Sequence, residues 1–174
     1  VYATDIISGN VYFYRSTDGT TWTRNTINNP SVQYPTIPAQ EDYHGQLTVA
    51  PDNPDKLYFV QGTDGLWIIN GTSSTLIDSD EGLPLSYYPT RNTYRMDLST
   101  VVIDPNDSDV VYVGKYSSNG FVAESLFRSI NGGQTFTDIS GNLKYTSATS
   151  LTVNPHDHYV YVGGHHGTWR LPPP

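Results

Sequence analysis

Residues 47–69 read LTVAPDNPDKLYFVQGTDGLWII, three short apolar runs separated by two turns. A short apolar run, Leu47 to Ala50, meets a turn built on Pro51 and Pro54. A second run, Leu57 to Gln61, meets the turn Gly62 to Asp64, and a third, Gly65 to Ile69, follows. Apolar runs of about four to six residues punctuated by Gly, Pro, Asn and Asp read as short strands buried between neighbouring sheets. Proline falls at the turns, where no ladder hydrogen bond is lost. The same order recurs at Thr100 to Ser129 (TVVIDPNDSDVVYVGKY, an insertion, then SLFRS) and at Ser150 to Leu171 (SLTVNPHDHYVYVGGHHGTWRL).

The turn prolines Pro51, Pro105 and Pro155 recur with a period of about 50 residues, which falls in the range of β-propeller blades. First strands are expected at Leu47 to Ala50, Thr100 to Asp104 and Ser150 to Asn154. Second strands are expected at Leu57 to Gln61, Val110 to Lys115 and Tyr159 to Gly163, and third strands at Gly65 to Ile69, Ser125 to Ser129 and Gly167 to Leu171. Fourth strands follow at Thr75 to Asp78 and Thr135 to Ile139, and Val1 to Asn25 supplies only a second, third and fourth strand. The expectation is an all-β chain, one partial β-propeller of four-stranded antiparallel blades over 1–174. Its blades fall at 1–25 (partial), 47–78, 99–140 and 148–171 (partial). About three and a half blades do not close a larger ring, so the rest is expected from other residues or another chain; a four-bladed ring is the alternative.

Composition agrees with strands. Tyrosine, threonine, valine, glycine and proline are abundant while alanine, glutamate and lysine are scarce, which nearly excludes helix. The formal charge of -8 disfavours phosphate backbones and anionic lipid, so neither nucleic acid nor membrane insertion is expected. No cysteine is present, which removes disulfides and thiolate chemistry. No apolar run approaches the roughly 20 residues of a membrane span.

Ser129-Ile130-Asn131-Gly132-Gly133-Gln134-Thr135-Phe136 matches the Asp-box pattern S-x-[D/N]-x-G-x-T-[W/F], and Ser16-Thr17-Asp18-Gly19-Thr20-Thr21-Trp22 is the same box one residue shorter. Asn70 to Leu76 is a decayed copy. The chain therefore resembles the Asp-box (BNR-type) propellers, which include sortilin-type receptors, family 74 xyloglucanases, sialidases and bacterial surface proteins. The box is a hairpin between third and fourth strands in which the Asp or Asn oxygen accepts backbone N–H groups, glycine takes positive φ and the aromatic ring packs between sheets. Ser16, Asp18, Gly19, Trp22, Ser129, Asn131, Gly133, Thr135 and Phe136 thus read as structural. The resemblance implies an extracellular or cell-surface location.

Blade geometry sends the Asp boxes to one end and the long connections to the other: 5–9, 26–46, 62–64, 79–98, 116–124, 140–149 and 164–166. Irregular loops on a rigid scaffold are where binding concentrates. They carry Tyr34, Tyr43, His44, Tyr87, Tyr88, Arg91, Tyr94, Tyr116, Glu124, His165 and His166, a mixture of flat rings and hydrogen-bonding heads suited to glycan or extended polypeptide. Glycoside hydrolysis needs two carboxylates flanking a bond. Asp5 and Asp64 are the candidates, placed alike just after second strands; Val1 to Asp5 followed by Gly9 is similar to the strand on which xyloglucanases keep a catalytic aspartate. A sialidase finds no support, because the F/Y-R-I-P stretch is missing.

His156, His158, His165 and His166 invite a metal, but the two pairs fall at opposite ends, so no metal site is assigned and they read as solvated turn residues. The acidic turns Asp52 to Asp55 and Asp104 to Asp109 resemble calcium loops in composition but lack EF-hand spacing; no cofactor is expected, with calcium the one candidate ion. Asn70-Gly71-Thr72 and Asn106-Asp107-Ser108 satisfy the N-glycosylation pattern. The leading functional expectation is a non-catalytic propeller segment that binds glycan or protein or mediates assembly. The alternatives are a fragment of a xyloglucanase-like glycoside hydrolase and a structural subunit of an extracellular assembly.

Overall fold

A computed structural model describes residues 1–7, 10–27, 45–61, 65–88, 93–116, 124–143, 147–164 and 166–173. Its strands are β1 (Tyr2–Ile7), β2 (Asn10–Arg15), β3 (Thr23–Ile27), β4 (Gly45–Val49), β5 (Lys56–Gln61), β6 (Gly65–Asn70), β7 (Ser73–Ile77), β8 (Ser86–Tyr88), β9 (Thr93–Arg95), β10 (Leu98–Asp104), β11 (Asp107–Lys115), β12 (Leu126–Ser129), β13 (Thr137–Asp138), β14 (Ala148–Val153), β15 (Val160–Gly164) and β16 (Gly167–Leu171). They pair antiparallel in chain order as sheets β1-β2-β3, β4-β5-β6-β7, β10-β11-β12-β13 and β14-β15-β16, with β8-β9 a separate hairpin. One 3₁₀ turn, Ser79–Glu81, is the only helical element among the described residues.

The period-2 alternation of the strands explains why the sheets stack. β5 and β6 send Leu57, Phe59, Trp67 and Ile69 to one face, where they meet Phe13 of β2. From the opposite face Tyr58, Val60 and Leu66 meet Val101, Ile103, Val111, Val113 and Phe127 of the next sheet. That sheet in turn sends Val110, Tyr112 and Leu126 against Leu151, Val153, Val160 and Val162. A sheet apolar on both faces is stable only between two others, so each interface holds its own core layer. Fully burying such a side chain contributes about 1.5–3 kcal/mol.

Close approach is bought with glycine at one repeated place. In Val113-Gly114 and Val162-Gly163, a Cβ on Gly114 would meet the Thr100 side chain at 2.6 Å and one on Gly163 would meet Ser150 Oγ at 2.3 Å. The first strands of successive sheets also touch through Gln46, whose Oε1 accepts the Val101 N–H at 2.9 Å.

The connection 79–98 is expected to be irregular, but its described residues hold a 3₁₀ turn and a pair of short strands. Asp78 caps the 3₁₀ turn by accepting the Asp80 N–H at 3.0 Å, and the Glu81 carboxylate accepts the Asp78 N–H at 2.8 Å. Polar groups three residues apart satisfy the free donors of the turn, a capping arrangement legible as D-S-D-E in the sequence. Gly82 then turns the chain at φ 93°, Leu83 is fully buried, and the β8-β9 hairpin follows.

Candidate functional site at the loop-rich end

The two box hairpins share one hydrogen-bond scheme. Ser129 Oγ accepts the Gly133 N–H at 2.9 Å and donates to Asn131 Oδ1 at 2.8 Å, and Asn131 Oδ1 accepts the Thr135 N–H at 3.0 Å. In the shorter box Ser16 Oγ accepts the Gly19 N–H at 2.8 Å and donates to Asp18 Oδ1 at 3.0 Å, while Asp18 Oδ1 accepts from Thr20 at 2.8 Å and Thr21 at 2.7 Å. The backbone N–H groups of Thr21 and Thr20, with the Ser16 hydroxyl, hold the Asp18 carboxyl well below the usual carboxylate range. These bonds tie the serine hydroxyls and the Asx Oδ1 atoms into the turns, a structural use of both groups.

The aromatic positions differ. Phe136 is buried, with its N–H donating to the Glu81 carbonyl at 2.7 Å, so the 3₁₀ turn of the preceding blade covers it. Trp22 was expected between sheets as well, but it is 41% exposed. Among the described residues no such turn lies over it.

The acidic turns are Asx turns. Asp104 Oδ1 accepts the Asn106 N–H at 2.9 Å and Asp107 Oδ1 the Asp109 N–H at 3.0 Å; Asn53 does the same for Asp55 at 3.0 Å. No cluster of three or more His, Asp and Glu able to hold a metal occurs among the described residues. His156 and His166 are exposed. His158 sits in its turn partly exposed, and its Nδ1 also lies 2.7 Å from Oδ2 of the buried Asp104, which ties the last sheet to its neighbour. Asn154 starts that turn by accepting the His158 N–H on its carbonyl at 2.9 Å, and His158 takes φ 56°, which carries the ring back across the seam.

At the opposite end, the candidates fare differently. Asp5 lies inside β1, opposite Tyr12, and not beyond the strand. Asp64 lies outside the described residues, as do Tyr34, Tyr43, His44, Arg91 and His165. Tyr87 and Tyr88 stand in β8 and Tyr94 in β9, an ordered hairpin. Tyr116 is 37% exposed at the end of β11 and Glu124 is half-buried just before β12.

Sequence reading missed Lys115. Its backbone N–H donates to the carbonyl of Ser125, four residues before the box serine Ser129; Asp5 faces Tyr12, four residues before the box serine Ser16. The two therefore hold one repeat position near the loop-rich end. The Lys115 side chain is 2% exposed, and its ammonium donates to the Pro84 carbonyl. Burial pushes its pKa down, against the opposing pull of the Asp97 and Glu124 carboxylates. Nothing in VVYVGK distinguishes this lysine from one that reaches solvent; only the crossover folded above it encloses the amine.

Three- and four-stranded antiparallel sheets joined in chain order and packed face to face, with turn hairpins at one end and connections at the other, define a β-propeller segment. No protein-family model matches the chain, and no curated protein sequence matches it. Solved structures do. The GH74 xyloglucanase from Xanthomonas campestris superposes over 98% of this chain with a TM-score of 0.62 at 16% identity. An ancestral GH74 enzyme matches 68% of it with a TM-score of 0.48 at 15% identity. The likeness is one of fold, and the chain spans 27% and 13% of those two chains.

Proposed function

We propose that this chain is a segment of an exported, xyloglucanase-like glycoside hydrolase, built from Asp-box repeats, whose loop-rich end faces polysaccharide. The reading rests on the likeness of 98% of the chain to a xyloglucanase, together with an aspartate, Asp5, inside the second strand of a blade near that end. The shared serine–Asx scheme of the two hairpins supports the Asp-box assignment. The remainder of the propeller, from other residues or another chain, completes the ring.

Glycoside hydrolysis takes one carboxylic acid to protonate the leaving oxygen and one carboxylate to activate water or attack the anomeric carbon. Asp5 supplies one of these groups, and the other comes from a facing loop, Asp64 being the candidate within this chain. The assay is reducing-end release from xyloglucan by the full-length protein. Asp5→Asn lowers the rate by about 10²–10⁴-fold while leaving xyloglucan binding in place. Hydrolysis at the wild-type rate by Asp5→Asn overturns the assignment. Binding of xyloglucan without hydrolysis by the wild-type protein selects the second reading, a non-catalytic glycan-binding propeller, which the tyrosine-bearing β8-β9 hairpin favours.

A further inference from the structure

We propose that the β8-β9 hairpin is a polysaccharide-contacting arm of the loop-rich end, that Lys115 is the residue that positions it, and that it takes an extended neutral glycan. The inference rests on the reading of that end as a glycan face.

Both roots of the hairpin are tied to consecutive residues of one strand end. On the β8 side the buried Lys115 ammonium donates to the carbonyl of Pro84, two residues before Ser86. On the β9 side the Asp97 carbonyl, two residues after Arg95, accepts the Tyr116 N–H at 2.7 Å. Beside the tethers, Leu83, one residue before Pro84, and Met96, between Arg95 and Asp97, are buried in the core layer between the second and third blades. Asp97 adopts φ 54°, so the chain reverses sharply there to enter β10.

A lone two-stranded hairpin is at best marginally stable in water. These ties to the core therefore decide where β8 and β9 sit. A buried ammonium is costly unless it is hydrogen-bonded and compensated. Lys115 has an acceptor in Pro84 and two attracting carboxylates in Asp97 and Glu124. An apolar side chain would fill the same space without that cost, but it could not hold the Pro84 carbonyl.

The hairpin carries three tyrosines, and the ladder sets Tyr87 opposite Tyr94, with Ser86 opposite Arg95 and Tyr88 opposite Thr93. Tyrosine offers a flat apolar face and a polar tip, the combination that suits pyranose rings. Tyr116, partly exposed, follows Lys115 directly. The net charge of -8, with the Asp97 carboxylate at one root, repels a polyuronate and favours a neutral chain as the ligand.

Two variants of the full-length protein test this, with xyloglucan oligosaccharides and polygalacturonate as probes. Lys115→Met is expected to raise amide exchange at 86–88 and 93–95 by at least about tenfold with 98–129 unchanged, and to weaken oligosaccharide binding by about tenfold. Unchanged hairpin exchange overturns the positioning role, as does loss of protection throughout 98–129, which would make Lys115 a general stability residue. The double variant Tyr87→Ala/Tyr94→Ala is expected to weaken binding by at least about tenfold with protection of 98–129 intact. Wild-type affinity in that variant overturns the contact, and equal affinity for polygalacturonate overturns the ligand class. A wild-type protein that binds no neutral glycan overturns the functional reading, while the exchange arm still reports separately on the tether.

Discussion

Ser129 is the residue on which the second box hairpin turns. It is 1% exposed and takes two backbone N–H groups, from Gly133 at 2.9 Å and Asn131 at 3.2 Å, while donating to Asn131 Oδ1. Ser129→Ala leaves the buried Gly133 donor without a partner, and such a group costs about 1–3 kcal/mol. Denaturant unfolding of Ser129→Ala is therefore expected to show a loss in that range with an unchanged m-value. Ser16→Ala is expected to lose less, because Gly19 is exposed and water replaces the serine. Equal losses at the two positions would mean that the scheme, and not its burial, sets the stability. This much was legible in the box pattern. The exposure of Trp22 was not, because the pattern specifies a turn and says nothing of what lies over it.

At the scale of elements, the 3₁₀ turn and the box of the next blade form one joint. The Glu81 carbonyl accepts the Phe136 N–H at 2.7 Å, and Gly82, at φ 93°, leaves so little room that a Cβ would meet the Phe136 carbonyl oxygen at 2.3 Å. Gly82→Ala adds left-handed strain of roughly 1–2 kcal/mol to an overpacking cost of roughly 1–3 kcal/mol. The expected outcome is a drop of about 2–5 kcal/mol in unfolding free energy, with Phe136 more accessible to solvent quenchers; a change below about 0.5 kcal/mol would show that the joint is not close-packed. The strands themselves were readable from apolar runs between Gly and Pro. The β8-β9 hairpin was not, because S-Y-Y and T-Y-R are too short and too polar to stand out from a loop, and their order comes from anchors on β11 that are distant in sequence.

For the molecule as a whole, the buried tyrosines contribute a loss of stability at alkaline pH. Burial raises the pKa of Tyr58, with Asp109 and Asp52 adding to it, and burial raises that of Tyr112, against Arg128. Unfolded tyrosine ionises near pH 10. Above that the unfolded chain binds fewer protons than the folded one, so stability falls as pH rises. The Tyr112 hydroxyl is buried without a hydrogen-bond partner among the described residues. Tyr112→Phe is therefore expected to be neutral or stabilising by up to about 1 kcal/mol at pH 7 and to flatten the loss of stability above pH 10. Thermal unfolding of both proteins across pH 7–11 measures this, and destabilisation of Tyr112→Phe at pH 7 would reveal a bound water or other partner for the hydroxyl. Tyr58 makes the contrast: its hydroxyl donates to the Gly132 carbonyl at 2.8 Å and is a working strut between blades.

The sequence alone determined the units, their strands and their turns, because hydrophobic period, proline placement and serine–Asx turns act over a few residues. It also determined that both faces of the inner sheets must be covered, since residues 57–60 and 110–113 are apolar at every position. It took the packed fold to show that Lys115 is enclosed, that His158 reaches Asp104, that Asp5 lies within a strand, and that β8 and β9 pair and are anchored to the end of β11. Lys115 and His158 take partners 31 and 54 residues away, and a buried charge or a seam contact takes its meaning from the group that faces it.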